Sequence, residues 1–200
     1  MRKLLSISLF LLLYSCGPIS LEEDPIVQKH FSESEIAYLD SILTFFDNEV
    51  FNQTPDIEII PSYKELFQVV KDSVKSGPVI AIELDQKKYQ RLFSTLPDSF
   101  QQKLWYTGYA HDSRTADSTF FRDLRSSENY AAFLKTASKR NDFLFEYYDA
   151  LEDGGLITPS MNANMLLFPE KLDIEKERER LIYAIHFITL RRPSANSQAF

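Results

Sequence analysis

The single cysteine, Cys16, limits what this 200-residue chain can fold into more than any other residue does. With one thiol no intrachain disulfide can form, so the fold must hold together by burying apolar surface. The material for that is ample: 44% of residues are hydrophobic, and 16 Phe, 10 Tyr and one Trp supply large side chains for a core. The roughly 170 residues beyond residue 30 are enough for one domain without covalent staples.

The position of Cys16 carries a second meaning. Met1, Arg2 and Lys3 precede a stretch from Leu4 to Leu13 broken only by Ser6 and Ser8, and Tyr14-Ser15-Cys16 closes it. A basic start, a short apolar stretch and a small residue before the cut form the pattern of a signal peptide over residues 1–15. As a helix the stretch rises about 15 Å, half of the roughly 30 Å of bilayer hydrocarbon, so it acts as an address and not as a span. Leu13-Tyr14-Ser15-Cys16 resembles the lipobox of bacterial lipoproteins, with Leu13 and Ser15 at its first and third positions and Tyr14 bulkier than the usual second residue. The resemblance implies cleavage before Cys16, lipidation of its sulfur and attachment of the mature protein to the membrane by acyl chains. Gly17 stands where an aspartate retains enterobacterial lipoproteins in the inner membrane, which implies outer-membrane residence. All of this rests on the leader and leaves the fold of the remainder open.

Loss of the leader removes Arg2 and Lys3, leaving 20 basic against 29 acidic side chains, a formal charge of −9. Such a surface repels nucleic acid and anionic lipid head groups and favours basic partners. Pro18 and Pro25 bracket Glu22-Glu23-Asp24 without sustained apolar spacing, so residues 16–30 are expected to be the lipidated cysteine and an acidic tether. The acidic run resembles the surface-export signal of lipoproteins in the Bacteroidetes, and it equally suits a solvated linker.

From residue 31 to 190 the spacing predicts one mainly α-helical domain of about seven helices with at most a small two-stranded β element, followed by a flexible tail over 191–200. Ser32-Glu33-Ser34-Glu35 is a capping box, with Phe31 placed to staple onto Ile36 and a stripe through Leu39, Leu43 and Phe46 behind it. Asp56–Ile60 and Val79–Ile82 are candidate strands on either side of an amphipathic helix over Tyr63–Val74. Helices are expected over Lys87–Leu96, over Asp98–Tyr106 with Gly108 as its stop, and from Ser118 or Thr119 through Phe120, Phe121 and Leu124. A longer pattern runs from Ser127 to Leu151 and ends at Gly154-Gly155, and a short helix starts at Ser160 or Asn162. Asp173 is the expected cap of a last helix that is charged at first and apolar nearly all round from Leu181 to Leu190.

Catalytic patterns are sparse. The five glycines assemble neither GxGxxG nor GxxxxGK[ST], and neither a GxSxG elbow nor an SxxK pair occurs. His30, His111 and His186 lie far apart in sequence and form no HExxH, so no metal and no cofactor is expected. Asp149–Gly154 has Asp and Gly where a calcium loop of the EF-hand type wants them. It has Leu151 at a ligand position and Ser160 at the bidentate Glu position, so a glycine-capped helix end accounts for it better. His186 among Ile182, Ile185 and Leu190 suits a core edge with one hydrogen bond. Phe143, Phe145, Tyr147 and Tyr148 cover more than one face of their helix, which burial explains better than display.

The densest chemistry lies in Trp105, Tyr106, Tyr109, His111, Asp112 and Arg114 around a glycine. In a cleft His111 is a candidate general base and the aromatics a stacking platform. The expectation is a non-enzymatic envelope lipoprotein that binds another protein, in an assembly or immunity role. The rival is a ligand-binding or hydrolytic lipoprotein whose site holds Trp105, Tyr109, His111 and Asp112. The anchor is tested directly: Cys16→Ala is expected to move the protein from the membrane pellet to the soluble fraction. Retention in the pellet contradicts lipid attachment at that residue.

Overall fold

The computed structural model describes residues 19–51, 58–76, 84–111, 118–126 and 129–190. Among them are nine helices: α1 Pro25–His30, α2 Glu33–Phe51, α3 Ile59–Ser76, α4 Gln86–Thr95, α5 Asp98–Leu104, α6 Asn129–Ala137, α7 Asp142–Gly154, α8 Pro159–Leu167 and α9 Glu177–Leu190. Strands β1 Trp105–His111 and β2 Ser118–Leu124 form one antiparallel two-stranded sheet. A mainly α-helical chain with a small β element is what the patterning predicts, but the strands lie elsewhere. Ile59 and Ile60 open α3 instead of closing a strand, because they continue the helical spacing of Tyr63, Phe67 and Val70, and Pro61 is tolerated in a first turn. The other expected strand, Val79–Ile82, lies outside the described residues. None of the described helices is long and apolar enough to cross a membrane.

Helix α9 is the interior of the molecule. Every residue from Glu179 to Thr189 is buried, so the helix shows no solvent face there. Tyr183 packs edge-on against Phe46 of α2 and Tyr63 of α3, and it also meets Phe67 and Phe187. His186, fully buried, meets the Tyr147 hydroxyl of α7 through Nδ1 at 3.0 Å and Asn162 Oδ1 of α8 through Nε2 at 3.3 Å. An amide oxygen only accepts, so Nε2 carries a proton; burial keeps the ring neutral, so Tyr147 donates to Nδ1. The sequence had suggested one hydrogen bond at a core edge; the histidine has two, at the centre. On α7, Phe143, Tyr147 and Tyr148 are buried and Phe145 is 54% exposed.

The start of the chain is not a tether from Ile19 onward. Ile19 bridges to Lys176, Leu21 and Val27 are buried, and Asp24 caps α1 by accepting from the amides of Ile26 and Val27. The same carboxylate pairs with Arg178 at the start of α9, while Glu177 accepts from the Leu21 amide at 2.8 Å. Asp24-Pro25 is an N-cap followed by a proline at N1, so the acidic run hid a helix start. Glu22 and Glu23 remain exposed.

Three boundaries also move. The last helix begins at Glu177 and not after Asp173, because Asp173 turns back on itself: its carbonyl accepts from Lys176 and its amide donates to Glu179. The pattern through Tyr130 and Leu151 divides into α6 and α7 at Asn141, whose side chain caps Phe143 and Leu144. Helix α8 is capped by Thr158, ahead of Ser160 and Asn162. Gly154-Gly155 ends α7 as expected, with Gly155 at φ 66°, a left-handed geometry that suits glycine. Ser32 and Glu35 keep half of the capping box, the Ser32 amide donating to Glu35 at 3.0 Å.

Two buried groups make stability depend on pH with opposite signs. Burial pushes His186 down to about 3, so the native state refuses a proton that the unfolded chain takes below about 6.5. Stability tied to it is complete above that pH and drains as pH falls toward 3. Asp47, buried and accepting from the Tyr63 hydroxyl at 2.6 Å, is raised to about 6 by burial, so its contribution weakens as pH climbs from about 4 to 6. His186→Gln is expected to cost about 1–3 kcal/mol at neutral pH and to flatten the loss between pH 6.5 and 4. Chemical denaturation across that range checks it, and an unchanged slope would show that His186 does not govern the acid limb.

Candidate functional site

The candidate site is built on the β1–β2 hairpin, which starts directly from α5. The Trp105 amide closes α5 by donating to Gln101, and the chain then extends. Trp, Tyr, Thr and Phe dominate both strands and favour the pleated conformation over a helix. This corrects two expectations: Trp105 and Tyr106 are not the last turn of a helix, and residues 118–124 are a strand instead of a capped helix. Gly108 is no helix stop. It lies opposite Phe121, whose ring crosses it so closely that a Cβ would meet Cζ at 2.8 Å, and the ring packs edge-on against Tyr106.

The root of the hairpin is in the core. Trp105 and Leu124 are paired and buried, and Trp105 Nε1 donates to Thr189 Oγ1 of α9 at 2.7 Å, while that hydroxyl donates onward to the Ile185 carbonyl. From there the pairing places Trp105, Thr107, Tyr109 and His111 on one face with Ser118, Phe120, Arg122 and Leu124. Tyr106, Phe121 and Asp123 occupy the other face. Asp123 accepts from the amides of Leu124 and Ile157, and burial holds its carboxyl above the ordinary range.

Along the first face, burial gives way to exposure. The Arg122 guanidinium lies 3.5 Å from the centre of the Phe93 ring and 5.7 Å from those of Tyr89, Trp105 and Phe120. Its Nη1 donates to the Tyr89 hydroxyl at 2.6 Å, and its buried Nε has no partner. Burial lowers its pKa, opposed only by Tyr89. Further out, Tyr109 is 63% exposed and meets Phe120 edge-on at 5.7 Å. At the outer end His111 Nδ1 and Ser118 Oγ are 2.6 Å apart. A base hydrogen-bonded to a hydroxyl is the first element of a nucleophile pair. Both residues are exposed, and among the described residues nothing orients the second ring nitrogen, so the pair is a surface hydrogen bond.

Beside the foot of the hairpin lies a cleft of about 560 Å³ lined by Asp98, Gln101, Gln102, Thr107, Arg122 and Arg125, among others. Gln101 Nε2 donates to the carbonyls of Phe93 and Leu96, and Arg125 Nε donates to the Trp105 carbonyl, so the walls are held by internal bonds.

Of the six residues singled out from the sequence, Trp105, Tyr109 and His111 share a face, with Trp105 buried at its root. Tyr106 lies on the opposite face, and Asp112 and Arg114 lie outside the described residues. Arg122, Phe120, Phe93 and Tyr89 were missed; only strand alternation across residues 118–124 would have brought Arg122 onto the face of Trp105. Among the described residues no three His, Cys, Asp or Glu side chains gather as metal ligands. Comparison with known protein families, with curated proteins and with solved structures finds no match.

Thr189→Val is expected to leave the buried indole N–H without an acceptor at a cost of about 1–3 kcal/mol, whereas Thr189→Ser keeps the acceptor and costs less. Denaturation followed by the emission of the single tryptophan measures both. Equal loss in the two variants would show that packing, and not this hydrogen bond, holds the hairpin root.

Proposed function

We propose that this chain is an outer-membrane lipoprotein of a bacterial envelope, anchored through Cys16, that acts by binding another protein through the outer half of its hairpin. The exposed Tyr109 ring, backed by Phe120 and standing on a core-rooted strand pair, carries this reading. Tyrosine and arginine are the residues that interfaces favour, because they offer large contact area with a polar tip. Each strand pairs only with the other among the described residues, so a strand edge is also available for addition of a partner strand. The overall acidic charge favours a partner with a basic surface, as in toxin immunity or assembly of an envelope machine.

Replacing Tyr109 with a photocrosslinking residue in the native envelope is expected to yield one discrete adduct. The same residue at Phe145, exposed on α7, is expected to yield none of that mass. Identical adducts at both positions, or none at Tyr109, would contradict docking through the hairpin.

A further inference from the structure

The geometry points to a carboxylate-binding site at the foot of the hairpin, in the cleft where Arg122 is the recognising cation and Gln102 and Thr107 are the neutral donors. A cation taken out of water without an anion is expensive, and sequences that bury arginine normally supply a carboxylate. Here the half-buried group lies over the Phe93 ring with three more aromatic rings near it and is bonded to one neutral hydroxyl, and no ion pair forms with it among the described residues. The rings offset part of the cost and fix the plane of the guanidinium. They give no partner to Nη2, and Arg122 lines the cleft.

The walls are fixed before any ligand arrives. Gln101 spends both amide hydrogens on the carbonyls of Phe93 and Leu96, and Arg125 is pinned to the Trp105 carbonyl, so binding orders little. Asp98 on the rim sets the charge of the occupant. A dianionic phosphate would meet that carboxylate with a larger repulsion than a planar monoanion does, and a guanidinium matches the two oxygens of a carboxylate in one plane. The negative charge of the whole protein is screened beyond about 8 Å at physiological salt, so the nearby arginine decides the local preference. The carboxylate has two sources: a small free acid, or the terminus or an acidic side chain of a protein.

The inference stands apart from docking through the hairpin, because the test uses the purified protein with no membrane and no partner. Trp105 is the only tryptophan, and its ring centre lies 5.7 Å from the guanidinium, so its emission reports occupancy. Titration with acetate, with succinate and with a short peptide bearing a free C-terminus is expected to give a saturable change at constant ionic strength that chloride does not give. A peptide that binds at least about tenfold tighter than acetate, and loses this on C-terminal amidation, identifies a protein source. Equal binding of peptide and acetate identifies a free acid. Arg122→Lys is expected to weaken binding at least about tenfold because the planar fork is lost. Thr107→Phe, at an exposed position directly across the strand pair from Arg122, fills the cleft over the guanidinium and is expected to abolish binding with little effect on stability. No saturable response to any carboxylate overturns the proposal. An equal response to chloride, or binding that persists in both variants, does the same.

Discussion

Helix α9 lies inside the protein on every side from Glu179 to Thr189, and the neighbouring elements are placed by what they touch on it. In so dry a setting a polar atom is costly unless it finds a partner, so each polar residue on the helix marks a connection. Thr189 receives the indole of Trp105 and so holds the hairpin. His186 joins Tyr147 of α7 to Asn162 of α8. Glu177 and Arg178 hold the segment that precedes α1, and Arg180 donates to the Ile174 carbonyl to fix the turn that leads into the helix. Tyr183 is the exception: its hydroxyl is buried without a partner, and its ring is held by the aromatic side chains of α2 and α3. One apolar helix with a few polar residues thus specifies neighbours as well as burying surface.

The helices were legible where the signal is local. A capping residue and apolar side chains at three- and four-residue spacing depend only on the chain near them, which is why α2 and α4 lie close to their expected bounds and α7 ends at Gly154-Gly155. The features that were misread depend on distant partners. Asp24 makes sense as a helix cap within an acidic run only once Arg178, 154 residues away, is in place. The hairpin was illegible for a different reason: both of its faces carry aromatics, Phe120 on one and Phe121 on the other, so the alternation that betrays a strand is erased. Arg122 carries no sequence signal of its place either, since a charged residue counts as outward in any pattern, and here its guanidinium lies 3.5 Å from the centre of the Phe93 ring. Of the candidate site, the aromatic half was visible as composition. The arginine that organises it was not, because its neighbours Tyr89 and Phe93 come from another helix.

The hairpin joins the buried helix α9 to one of the most exposed aromatic side chains among the described residues. Trp105 is fixed to α9, Arg122 stacks next to it between core and solvent, and Tyr109 with Phe120 continues the same face into water. A binding element built this way loses little freedom on docking, since its strands are already ordered at the root. Half-buried Arg122, packed among aromatic rings with no carboxylate partner among the described residues, is the point where the sequence departs from the usual pairing of a sheltered cation.

The position of the hairpin along α9 matters if Cys16 carries lipid. Ile19 is paired with Lys176, just before α9, and three residues of chain span at most about 10 Å, so acyl chains on Cys16 would hold this end of the domain close to the bilayer. The indole of Trp105 is bonded to Thr189, near the other end of the same helix. At 1.5 Å per residue the two attachments are separated by about 20 Å along α9. An anchor and a binding element tied to opposite ends of one buried helix keep a fixed separation, which a flexible acidic tether would not have provided. With lipid on Cys16, the packing of residues 19–31 would bear on attachment as well as on stability, making this part of the chain a mount and not a leash.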